Sequence, residues 1–143
     1  MPRELGLENI LLATHFGPSA ERAAQYAFSL AQEYGARLTV LHVVEDVRAY
    51  AEEEEERIRE VNIHEMRRFM PPESESWCNV KFRVTLGSAV EEILGAASET
   101  KANLIIMGAQ TRKTFAGQMP LTIAYNVAAK ADCPVLTVRG GSA

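Results

Sequence analysis

Short, nearly continuous apolar runs alternate along this chain with longer segments in which apolar residues recur every three or four positions. A short apolar run bounded by polar residues is typical of a strand that is buried on both faces. Four segments have this pattern: Asn9–Thr14, Arg37–Val44, Asn103–Met107 and Pro134–Val138. A fifth segment, Asn79–Thr85, alternates polar and apolar residues, which predicts a strand with one wetter face at an edge of the sheet.

The segments between these strands have the period of amphipathic helices. The pattern predicts helices from Pro18 to about Tyr34, within Glu45–Met70, over Ala89–Thr100 and after Pro120. A run of five glutamates, Glu52–Glu56, indicates a solvated helix face, and the polar stretch Glu73–Trp77 predicts a loop. Strands that alternate with helices predict an α/β fold, in which right-handed crossovers build a parallel sheet with helices on both faces.

Length and charge limit the classes of function. The chain has 143 residues, which predicts one domain over residues 1–143, and its formal net charge of −4 argues against nucleic acid as a partner. No stretch is long and apolar enough to span a membrane or to act as a secretory signal, so no membrane partner is expected. The two cysteines, Cys78 and Cys133, lack the spacing of metal ligands, and reduced thiols in a cytoplasmic protein are expected.

Parallel α/β sheets bind ligands at the carboxyl ends of their strands. If the first strand lies beside the fourth, the turn Thr14–Gly17 faces the loop that follows Gly108, and His42 and Val43 complete one wall. We expect Gly108 to end its strand where the backbone turns sharply. The polar, basic loop Ala109–Gln118 comes next, and a loop of this kind commonly holds phosphate through backbone N–H groups and a helix N-terminus.

Three segments together resemble the universal stress protein (UspA-like) family of the HUP superfamily: Ile10–Val44, Gly87–Ala109 and Cys133–Val138. The resemblance extends over essentially the whole chain. It implies a three-layer sandwich around a five-stranded parallel sheet of order 3-2-1-4-5. It also implies a role in the stress response and a homodimer, often built through the last strand, which here is Pro134–Val138.

Many members of that family bind ATP through the pattern G-x2-G-x9-G-[ST], in which glycines let the loop backbone approach the phosphates. Gly108 and Thr122 match the first and last positions here, whereas Thr111 and Leu121 replace the other two glycines. His15 stands where the family's ATP binders tend to carry an aspartate at the nucleoside. The resemblance implies a homodimeric regulatory protein that is not an enzyme, and these replacements predict that it holds no ATP cofactor and acts through protein partners.

The main alternative is a stress protein that binds an adenine nucleotide, ATP or AMP, weakly. The residues that would contact the nucleotide lie at the ends of three strands and in the basic loop: Ala13, Thr14, His15, Val43, Met107, Gly108, Thr111, Arg112, Lys113 and Thr122. Arg112 and Lys113 would meet phosphate as charges, although a solvated loop explains them more simply.

The other alternative is an enzyme that transfers a nucleotidyl group or slowly hydrolyses ATP. His15-Phe16-Gly17 matches the first three positions of the H-x-G-H signature of nucleotidylyltransferases in the HUP superfamily. Pro18 occupies the fourth position, so the second histidine, which would stabilise the charge of the transferring phosphoryl group, is absent from the sequence.

Overall fold

The computed structural model describes residues 6–15, 18–45, 50–71, 74–77, 79–109 and 121–139. Strands and helices alternate within these residues. The strands are β1 (Asn9–Ala13), β2 (Arg37–Val44), β3 (Asn79–Leu86), β4 (Leu104–Ala109) and β5 (Val135–Arg139). The helices are α1 (Pro18–Tyr34), α2 (Glu52–Phe69), α3 (Ser74–Trp77), α4 (Ala89–Thr100) and α5 (Leu121–Lys130).

All five strands are parallel and form one sheet of order β3-β2-β1-β4-β5. The predicted α/β fold and the strand order 3-2-1-4-5 are therefore confirmed. β1 lies at the centre, where Ala13 pairs with Leu41 of β2 on one side and with Met107 of β4 on the other. β3 and β5 form the two edges of the sheet.

Helices cover both faces of the sheet and complete the predicted three layers. α1 and α2 pack against one face, and α4 and α5 pack against the other. Successive side chains of a strand point to opposite faces, so Leu11 enters the core beneath α4 and α5 while Leu12 enters the core beneath α1. Because both faces of β1 and β4 are buried, their sequences are almost continuously apolar.

α1 lies close to the sheet because its inner residues are mostly alanines. Ala23, Ala24, Ala27 and Ala31 are all buried beside Phe28. The helix ends at Gly35, whose φ of 63° is a left-handed conformation that glycine adopts without steric cost. The predicted extent of this helix is confirmed.

Several predicted segments need correction. β1 ends at Ala13 and not at Thr14, β3 continues to Leu86, and β4 runs from Leu104 to Ala109 rather than from Asn103 to Met107. The polar stretch Glu73–Trp77 is not simply a loop, because Ser74–Trp77 forms the helical turn α3, where Arg67 of α2 donates to Glu75 at 3.4 Å. One turn is too short to show a helical period in the sequence. β5 runs from Val135 to Arg139 rather than from Pro134 to Val138, and it is only half-buried because it forms an edge.

Candidate functional site

The strand order brings the carboxyl ends of β1, β2 and β4 together, as the sequence predicted. The backbone N–H of Thr14 donates to the carbonyl of Leu41 at 2.9 Å, which continues the pairing of β1 and β2 for one residue beyond β1. Thr14 is buried, and its hydroxyl donates to the carbonyl of His15 at 3.1 Å. These bonds hold the start of the turn that follows β1 against β2.

His15 and His42 meet at this end of the sheet. Their ring centroids are 5.9 Å apart, and the rings are nearly perpendicular, at 89°. The Nδ1 atom of His42 lies 2.9 Å from the carbonyl oxygen of Thr14. Because a carbonyl oxygen only accepts hydrogen bonds, His42 carries a proton on Nδ1 and is held in one orientation beside His15.

Both imidazoles are neutral at physiological pH. Burial, assisted by repulsion from His42, lowers the pKa of His15 from 6.5 to about 4. Burial also lowers the pKa of His42, although its hydrogen bond to Thr14 opposes that change. The Nε2 atom of His15 is buried and has no hydrogen-bond partner among the described residues. Among the described residues, His15 therefore offers the site a neutral polar atom with unused hydrogen-bonding capacity, not a fixed charge.

Gly108 has a different structural role from the one its sequence suggested. It lies within β4, where it pairs with Val138, and does not end the strand. A Cβ atom at Gly108 would lie 2.7 Å from the backbone carbon and oxygen of Ser19, near the start of α1. Glycine is needed there because α1 crosses β4 at very short distance, and this packing explains Gly108 without any phosphate.

The other predicted site residues fall into three groups. Ala13, Val43 and Met107 are buried in the core between the sheet and the helices α4 and α5. Thr122 is exposed in the first turn of α5. Thr111, Arg112 and Lys113 lie outside the described residues, so their position relative to His15 stays a prediction.

Sequence reasoning missed two polar groups near this end of the sheet. Ser19, near the start of α1, is buried and lies against Gly108. The hydroxyl of Thr85, on β3 beside Val43, is buried without a hydrogen-bond partner among the described residues. Neither feature leaves a local signal in the sequence, because the burial of each side chain depends on how distant elements pack.

Two negative findings apply to the described part of the chain. It contains no group of three or more histidine, cysteine, aspartate or glutamate side chains that could hold a metal ion. None of its helices combines the length and the apolar composition needed to cross a membrane.

Comparison with known proteins assigns the family. The sequence profile of the universal stress protein family matches residues 6–139. This chain belongs to the universal stress protein family. A relative from Thermus aquaticus is named universal stress protein in QAH/OAS sulfhydrylase 3′ region. It is 35% identical to this chain over 141 residues, which cover 92% of this chain and 98% of that protein.

Solved structures of universal stress proteins share the fold. The UspA protein of Lactobacillus plantarum has a TM-score of 0.73 at 21% identity, covering 95% of this chain and 100% of that one. A universal stress protein in complex with cAMP has a TM-score of 0.69 at 20% identity, over 94% and 98% of the two chains. The universal stress protein of Archaeoglobus fulgidus in complex with dAMP has a TM-score of 0.63 at 19% identity, covering 94% of this chain and 99% of that one.

Proposed function

We propose that this universal stress protein acts in the stress response as a homodimeric, non-enzymatic regulatory protein that works through protein partners and does not hold ATP firmly. The state of His15 carries this proposal. The family's ATP binders tend to carry an aspartate at this position, which offers a fixed negative charge. Here the position holds a neutral imidazole, largely buried and packed edge-on against His42.

The packing of Gly108 supports the same conclusion. Gly108 is the first glycine of the family's phosphate pattern, and its presence would otherwise favour a phosphate site. Since the backbone of Ser19 already excludes any side chain at Gly108, this glycine is required whether or not phosphate binds. With Thr111 and Leu121 in place of the other glycines, little of the pattern still favours a triphosphate.

A second candidate function is the binding of an adenine monophosphate. It is favoured by the unpartnered Nε2 atom of His15, which could exchange a hydrogen bond with a ligand at the carboxyl end of β1. The related folds solved with cAMP and dAMP hold nucleotides with a single phosphate, which would need fewer phosphate-binding groups than ATP.

Thermal melting with millimolar Mg-ATP, AMP or cyclic AMP tests these functions, with inorganic triphosphate as a control for attraction to exposed basic side chains. A ligand that binds only the folded state stabilises it by RT ln(1 + [L]/Kd), about 2.7 kcal/mol at a hundredfold excess over Kd. We expect ATP to raise the melting temperature no more than triphosphate does. A rise of several degrees with ATP alone contradicts the proposal, and a rise with AMP or cyclic AMP alone establishes the second candidate.

The edge strand β5 is the surface through which we expect the homodimer to form. In the parallel ladder Ile105 donates to the carbonyl of Pro134, so Pro134, Leu136 and Val138 direct their backbone groups toward β4. The alternate residue Thr137 then directs its N–H outward, where a second copy could accept it. Thr137 and Arg139 are exposed, as expected of a strand that awaits a partner.

Thr137→Pro is expected to convert the dimer to a monomer without unfolding the chain. Proline removes the outward N–H of Thr137 but leaves the hydrogen bonds between β5 and β4 in place, and edge strands tolerate proline at such positions. Light scattering after size-exclusion chromatography measures the mass, and Thr137→Val is the matched control. A wild-type monomer, or a Thr137→Pro dimer with unchanged dissociation constant, contradicts assembly through β5.

A further inference from the structure

A polar groove lies at the opposite end of the strands from His15. Its volume is about 600 Å³, and it opens beside the edge strand β3, between the amino ends of β1–β3 and the carboxyl-terminal end of α4. None of the residues identified at the carboxyl ends of the strands lines it.

The groove is positively charged although the chain has a formal net charge of −4. Arg37, Lys81 and Lys101 line it from three separate segments of the chain, and all three are exposed. Glu99 also lines it, but Arg83 pairs with that carboxylate. Three cations therefore face the groove without a carboxylate partner among its described lining residues, which favours an anionic occupant.

Strand register places Arg37 and Lys81 on the same face of the sheet. Arg37 of β2 pairs with Asn79 of β3, and Thr39 pairs with Lys81. Because side chains alternate along a strand, Asn79, Lys81 and Arg83 point to the same side at intervals of about 6.6 Å. Alternate side chains of an extended peptide have the same spacing, so a glutamate of a strand added at this edge could lie beside Lys81, on the face that also presents Arg37.

The backbone around the groove is held in place before any ligand arrives. Asn9 donates from its side-chain amide to the carbonyl of Lys101 at 3.4 Å, and Asn103 accepts from the backbone N–H groups of Glu8 and Asn9 at 2.9 and 2.8 Å. Lys101 itself caps α4 with a left-handed φ of 55°, where its N–H bonds to the last turn of the helix. A fixed backbone lowers the entropic cost of binding.

We propose that this groove and the adjoining edge of β3, which among the described residues pairs with β2 alone, bind an extended acidic polypeptide segment of a partner protein. Backbone pairing with the edge would supply affinity, and Arg37, Lys81 and Lys101 would select acidic side chains. The assignment rests on the proposed function only in requiring a protein partner, and it does not depend on nucleotide binding. A single-stranded nucleic acid fits less well because the described residues that line the groove include no aromatic side chain for base stacking.

The test uses the full chain and a fluorescent ten-residue peptide of alternating glutamate and valine, with binding followed by anisotropy. We expect binding that weakens when the salt concentration rises from about 50 to about 300 mM, because exposed charges are screened. The double variant Arg37→Glu, Lys81→Glu should lose about tenfold or more in affinity and should bind a lysine–valine peptide instead. Arg57→Glu with Lys130→Glu, which changes the net charge equally on other surfaces, should bind as wild type does.

Three outcomes would overturn the assignment. The first is equal binding of a peptide in which the same glutamates are clustered, because charge alone would then explain the affinity. The second is tighter binding of oligothymidylate, and the third is unchanged affinity in the double variant. If that variant does not fold, Lys81→Gln and Lys101→Gln serve in its place, each expected to weaken binding severalfold. A melting shift with ATP alone would overturn the proposed function without affecting this result.

Discussion

Gly108→Ala is expected to destabilise the folded chain by about 1–3 kcal/mol and to lower its melting temperature by roughly 3–10 °C. The added Cβ atom would lie 2.7 Å from backbone atoms of Ser19, a distance at which α1 or β4 must shift. Because the obstacle is backbone and not a flexible side chain, Ser19→Ala in the same chain should restore little of the lost stability. Urea or thermal unfolding followed by circular dichroism measures the effect.

Gly95→Ala provides the matched control for this substitution. Gly95 lies within α4, and a Cβ atom there would meet nothing within 4 Å. Alanine is favoured over glycine inside a helix by about 0.8–1.0 kcal/mol, so this variant should be slightly more stable than wild type. If Gly108→Ala melts within a degree of wild type, the close crossing of α1 and β4 is not rigid, and Gly108 again becomes evidence for a phosphate site.

Acidification is expected to destabilise the fold through His15, with the loss concentrated between pH 6.5 and pH 4. The unfolded chain takes up a proton on this histidine near its ordinary pKa of 6.5, whereas the folded chain resists protonation until about pH 4. The unfolded state thus binds more protons in this window, and stability falls as the pH falls. The lowering of the His15 pKa corresponds to about 3 kcal/mol of folding free energy. This loss of stability is complete below the pKa of the folded state.

His15→Phe tests this pH dependence because phenylalanine keeps a ring beside His42 but takes no proton. We expect the variant to lose about 3 kcal/mol less than wild type between pH 7 and pH 4 in urea unfolding experiments. Some pH dependence should remain, since burial also lowers the pKa of His42. His64→Gln is the control, because His64 is exposed on α2 and removing it should leave the pH dependence of stability close to that of wild type. Parallel pH profiles for wild type and His15→Phe would show that His15 is not buried in the neutral form.

The secondary structure was largely predictable because local patterns determine it here. Arg37–Val44 and Ala89–Thr100 were predicted to the residue, since an apolar run or a helical stripe is bounded in each case by a glycine with positive φ, Gly35 or Gly87. α3 was missed because one turn has no period. The strand order came from the family resemblance, since alternation of strands and helices does not by itself determine which strands are neighbours.

The candidate site was less predictable because its contacts join distant parts of the chain. The contact between His15 and His42 depends on the register that pairs Ala13 with Leu41, and the contact between Gly108 and Ser19 depends on how α1 crosses β4. A sequence motif shows that position 108 is a glycine, but it does not show which neighbouring residue would clash with a larger side chain there. For this reason the phosphate interpretation and the packing interpretation could not be separated before the fold was known.

The central position of β1 has a consequence for the order in which the chain folds. β1, β2 and β3 are consecutive strands that pair as neighbours, so they can assemble from sequence-local contacts while synthesis continues. The other edge of β1 must wait for β4, and the bond from Glu8 to Asn103 closes a separation of 95 residues. Until then an apolar strand edge is open to mispairing with other chains. The contact between Gly108 and Ser19 can form only after that closure, so we expect it to appear late in refolding.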